Sequence, residues 1–153
     1  MLDRAQSDTK DCRVKILLLE DNPGDIALFE NAVGNSEIAI AKTGEDALRS
    51  MLGGFTPDVV VLDINVPVRT GFEVLGEIKT HERLRMIPVV MFSNSDRPED
   101  VQQAYRLGAA AYIVKPRELE ATERALSAFA NFWTTQVVFP DGKTRTSHLN
   151  ASA

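Results

Sequence analysis

The stretch DVVVLDINVP, residues 58–67, holds an apolar run that stops at a carboxylate. Val59 to Leu62 put no polar group on either face of a strand, as a strand buried on both sides requires. Asp63 ends the run, with Asn65 and Pro67 close behind. Taken alone, an Asp at a strand tip starts a turn. Its surroundings decide whether it does more.

Outward from this strand, apolar runs and helical patterns alternate. Residues 14–19, 37–41, 88–92 and 111–114 read as further strands. Helices are predicted from Pro23 (Ile26, Phe29 and Val33 inward), from Gly44, from Gly71, from Pro98 to a glycine cap at Gly108, and from Leu119 to about Thr135. Strands alternating with helices imply parallel pairing and right-handed crossovers. The expected fold is a doubly wound α/β sandwich on a five-stranded parallel sheet. In such sheets ligands bind beyond the carboxyl ends of the strands.

Four of those five ends carry polar groups: Glu20 and Asp21 after the first, Asp63 after the third, Ser93 after the fourth, Lys115 after the fifth. Each has an ordinary reading as a cap, a turn residue or a solvated lysine. Their joint placement does not. Three converging carboxylates repel, and a hard divalent cation such as Mg²⁺ relieves them while leaving coordination positions for phosphate oxygens. A lysine and a hydroxyl suit the remaining phosphoryl oxygens, and an aspartate can be the nucleophile that accepts the group.

The 153 residues, 44% hydrophobic and 25% charged, suit one globular domain. A net charge of −5 argues against nucleic-acid binding through a basic field. No apolar run approaches a membrane span, and the polar start is no signal peptide. The single Cys12 excludes an internal disulfide and fits a reducing cytoplasm. Residues 1–13 read as a disordered tail, 14–136 as the domain, and 137–153 as an extension whose polar end, from Pro140 on, is also expected to be disordered.

LLLEDN (17–22), VVVLDINVPVRTGFEVL (59–75), VVMFSNSD (89–96) and LGAAAYIVKP (107–116) together resemble the receiver domain of bacterial response regulators, over about residues 14–135. Through ALSAFANFWTTQVVFP (125–140) the chain is further similar to stand-alone regulators paired with phytochrome-type histidine kinases. The resemblance implies a flavodoxin-like (βα)₅ fold and a switch phosphorylated by a partner kinase. It implies Asp63 as phosphoacceptor, and Mg²⁺ held by Asp21, Asp63 and the backbone carbonyl of Asn65, with Glu20 acting through water. Lys115 would pair with the phosphoryl group and precede a cis peptide to Pro116. Ser93 would bond a phosphoryl oxygen, and Tyr112 would turn inward when Ser93 moves. Asn94, Val66 and Thr70 depart from the common pattern, Asn94 in a way that bears on the lifetime of the phosphorylated state.

His81 and His148 are expected at the surface and outside any kinase-like motif, so the phosphoryl donor is another protein. Two alternatives remain. One is a receiver-shaped interaction module that is never phosphorylated. The other is an aspartate-nucleophile phosphatase, which would need an acid where Asn65 stands. Finally, Leu119, Thr122, Leu126, Phe129 and Trp133 form the inward face of the last helix. Ala121, Ala125, Ala128 and Phe132, continued by Val137, Val138 and Phe139, leave an apolar stripe expected to pair two copies of the chain.

Overall fold

The computed structural model describes residues 13–145. Of the N-terminal tail expected over residues 1–13 only Arg13 is described; the rest of it, Cys12 included, and His148 lie outside the described residues. Five strands, β1 (Lys15–Leu19), β2 (Glu37–Ala41), β3 (Val59–Leu62), β4 (Val89–Ser93) and β5 (Ala111–Val114), alternate with five helices. These are α1 (Pro23–Val33), α2 (Gly44–Leu52), α3 (Gly71–Thr80), α4 (Pro98–Arg106) and α5 (Leu119–Thr135). The elements stand where the periodicity places them, except that Ser93 is the last residue of β4 rather than the first beyond it.

Local chemistry starts the helices. Asn22, Thr43 and Thr70 each accept from a backbone N–H three residues on, at 3.0, 3.1 and 3.3 Å. Pro23 and Pro98 occupy first-turn positions where no N–H is needed. Gly108, just past α4, sits at φ +106°.

The sheet order is β2-β1-β3-β4-β5, and every pairing is parallel. Alternation along the strands splits the core in two. Leu17, Leu19, Val60, Leu62, Val89 and Met91 pack with α2, α3 and Ala104 of α4. Ile16, Leu18, Val59, Val61, Val90 and Phe92 pack with Phe29 of α1 and with Leu126, Phe129 and Trp133 of α5. Each such side chain contributes on the order of 1.5–3 kcal/mol by leaving water. The chain reverses its direction of travel across the sheet at β1, so a crevice opens between the carboxyl ends of β1 and β3. Among the described residues no helix is long and apolar enough to cross a membrane.

Two expectations about the C-terminal third are corrected. Leu119 does not face inward; it is 59% exposed, and the buried face of α5 begins only at Thr122 and Leu126. Residues 140–145 are not a loose tail. Phe139 is buried and stacks on Trp133 with ring centroids 6.0 Å apart. Its N–H donates to Lys143 O at 3.0 Å, closing a tight turn. Arg145 lies over the Phe139 ring and bridges Asp58 at 3.0 Å and Asp141 at 2.7 Å. Of the apolar stripe, Phe132 and Val138 stay exposed, at 52% and 63%, Val137 is partly buried, and Phe139 is taken up by its own domain.

Candidate functional site

Ladder bonds carry the polar residues to one edge. Beyond β1, Glu20 N donates to Ala41 O, and beyond β3, Asp63 N donates to Leu19 O, both at 3.0 Å. Beyond β5, Lys115 N donates to Ser93 O at 2.7 Å. Parallel strands ending in register therefore deliver Glu20, Asp63 and Lys115 to one crevice.

All three are buried, whereas Asp21 is exposed at the rim. Lys115 Nζ donates to Glu20 Oε2 at 2.6 Å, Asp25 Oδ2 at 3.0 Å and Asp63 Oδ2 at 3.1 Å. It also lies 5.5 Å from the centre of the Phe92 ring. Thus the ammonium uses its three donors on three carboxylates. The reading of Lys115 as a solvated surface lysine is excluded.

Burial pushes the Glu20 carboxyl up to about 7, with the Asp63 charge adding to it and the Lys115 hydrogen bond opposing. For Lys115, burial works to lower the pKa, but the hydrogen bond to Glu20, the charge of Asp63 and the hydrogen bond to Asp25 outweigh it and hold the ammonium above its ordinary range.

Carboxylate oxygens of Glu20, Asp21 and Asp63 lie within 4.8 Å of one another, an all-oxygen set suited to a hard divalent cation. Asn65 follows on the loop, its N–H at 3.4 Å from Asp63 Oδ1.

Ser93 is fully buried, and its Oγ accepts from Ser95 N at 3.3 Å. The half-buried Tyr112 donates its hydroxyl to Ser95 O at 2.7 Å, and Ser95 Oγ donates to Asp100. Ser93 and Tyr112 therefore share the loop that leads into α4. Asn94 between them is exposed.

The expected cis peptide before Pro116 is not found: no peptide among the described residues is cis. Trans is the lower-energy form of such bonds by about 0.5–1 kcal/mol, and Lys115 reaches Asp63 without the cis form. His81 is partly exposed, its Nδ1 accepting from Arg83 N at 3.1 Å.

Asp25 escaped the sequence reading, which followed strand ends alone. Its signal lay in DNPGD: an acid three residues after the Asn22 cap sits in the first turn of α1, where side chains lean back toward the strand tips.

A family model described as the response regulator receiver domain matches residues 16–127. Response regulator Rcp1 of the cyanobacterium Synechocystis is 32% identical over 135 residues, covering 82% of this chain and 92% of Rcp1. The crystal structure of the phosphorylated cyanobacterial phytochrome response regulator RcpA superposes with a TM-score of 0.80 at 32% identity, over 84% of this chain and 99% of RcpA. The Mn²⁺-bound form of Rcp1 gives a TM-score of 0.78 at 31% identity, over 83% and 99%. Fold, strand-end chemistry and sequence agree over the same span, and the chain belongs to the response regulator receiver domain family.

Proposed function

We propose that this chain is a signalling switch that accepts a phosphoryl group on Asp63 from the phosphohistidine of a sensor histidine kinase. One observation carries the reading: Asp63 is buried at the tip of β3, 3.1 Å from Lys115 Nζ and grouped with Glu20 and Asp21. A surface turn Asp has no use for such company.

A divalent cation, Mg²⁺ in our reading, would supply charge that offsets these carboxylates and polarises the phosphoryl oxygens. Asp21, Asp63 and the Asn65 carbonyl would hold it, with Glu20 reached through water. An Asp63 oxygen attacks phosphorus while the P–N bond to the donor imidazole breaks, and the departing nitrogen keeps the bonding pair. Lys115, already against Asp63, pairs with the transferred group, and Ser93 Oγ donates to one of its oxygens. Tyr112 shares the 93–95 loop, so movement of Ser93 biases its position and the surface of α4 and α5. The chain catalyses only its own half of the transfer, in the cytoplasm. The similarity to Rcp1 and RcpA favours a phytochrome-type kinase as donor. Two copies pair through Phe132 of α5 and Val138 of the segment after it, both exposed.

Incubation with acetyl phosphate and Mg²⁺, followed by intact mass spectrometry, tests the core of this. Wild type is expected to gain one phosphoryl mass, and Asp63→Asn none. An equal adduct on the variant overturns the assignment.

A further inference from the structure

We propose that the amino terminus of α2 positions the loop that would bring the Asn65 carbonyl to the cation, with Gly44 and Arg69 as positioning residues. The inference rests on the metal site proposed above.

The loop between β3 and α3 does not hold its shape by local preference. Val68 and Arg69 are consecutive non-glycine residues in the left-handed region, at φ +49° and +70°. For a β-branched residue such as Val68 this is an outlier, and such conformations persist only when their surroundings impose them. The loop is closed on itself at its base and held from outside at its apex. At its base, Gly71 N donates to Ile64 O at 3.0 Å, and a Cβ at Gly71 would lie 2.2 Å from Asp63 O.

The apex rests on α2. The first amides of a helix have no partner within it. Here Gly44 N reaches Pro67 O at 3.4 Å and Glu45 N reaches Val68 O at 3.2 Å. The approach is close enough that a Cβ at Gly44 would stand 2.4 Å from Arg69 O and 2.9 Å from Val74 Cγ2. Arg69 then ties the apex to two helices, with Nε 3.4 Å from Glu45 of α2 and a guanidinium nitrogen 3.3 Å from Glu77 of α3. Asn65 lies between the pinned base and the pinned apex, next to the buried Val66. Displacing the apex moves the one expected cation ligand that is neither a carboxylate nor on a strand end.

Calorimetric titration of the full chain with Mn²⁺ tests this without reference to phosphorylation. Gly44→Ala, which must push the loop away, is expected to weaken binding about tenfold, in the range of outer-shell changes at metal sites. Arg69→Ala is expected to weaken it about two- to fivefold, as befits two partly exposed ion pairs. Arg69→Lys, which keeps the charge but not the fork, recovers part of that loss. Metal-free thermal melting of Arg69→Ala should match wild type. Its half-saturating Mg²⁺ for phosphorylation by acetyl phosphate should rise by the same factor, with the rate at saturating Mg²⁺ unchanged. If Gly44→Ala does not fold, Arg69→Ala alone decides. Wild-type affinity for Mn²⁺ in the folded variants overturns the anchor and leaves the metal site standing. A wild type that binds no Mn²⁺ overturns the metal site and this inference with it.

Discussion

Burial and the charge of its neighbour Asp63 push the Glu20 carboxyl up, against the hydrogen bond from Lys115. The consequence is a pH dependence with a definite sign. Glu20 titrates near 4.5 when free and at about 7 in the fold. Between those values the folded chain holds a proton that the unfolded chain has lost, so stability falls as pH rises through the window and levels off above it. Glu20→Gln removes that slope. In metal-free buffer, urea unfolding should find the variant gaining on wild type by up to about 3 kcal/mol between pH 4.5 and 7.5. A difference that stays flat across that range would mean that Glu20 is not held up by burial. At this scale Glu20, Asp63, Ser93 and Lys115 were legible because a parallel sheet must bring its carboxyl ends together. Asp25 was not, since nothing in its spacing separates a helix-start acid that faces the pocket from one that faces water.

The segment after α5 behaves as an element of its own, though it has neither helix nor strand. Phe139 fills a place beside Trp133, and Arg145 fastens the turn to Asp58, whose other carboxylate oxygen accepts from Lys15 N at 2.9 Å. Phe139→Ala is expected to cost about 3 kcal/mol in chemical denaturation, as for other buried aromatics. Arg145→Ala should cost about 1–2 kcal/mol, and a cycle with Asp58→Ala should reveal coupling between the two. Additive losses in that cycle would show the bridge to be idle. The helices and strands were readable from period and caps. This strap was not, because one aromatic amid PDGKTR gives no periodicity, and its partner Asp58 is remote in sequence. Leu119 misled for the opposite reason: it fits the spacing of α5 but stands at its first residue, ahead of Thr122 where burial begins.

For the molecule as a whole, the apolar stripe along α5 and the segment after it is smaller than the sequence suggested, because Phe139 is spent internally. Phe132 remains, edge-on to Trp133 at 5.5 Å between centroids, with half its surface open. If two copies meet there, sedimentation of wild type at tens of micromolar should give a dimer and Phe132→Asp a monomer, since each buried ring contributes about 1.5–3 kcal/mol and two-fold symmetry doubles it. A wild type that sediments as a monomer, phosphorylated or not, overturns the pairing. The position of Trp133 has an optical corollary. It is the chain's single tryptophan. It stacks on the strap that is fastened at Asp58, at the far end of β3 from Asp63, a strand length of roughly 16 Å away. Its emission will therefore follow undocking of the strap, so the native fluorophore watches the end of the sheet opposite Asp63.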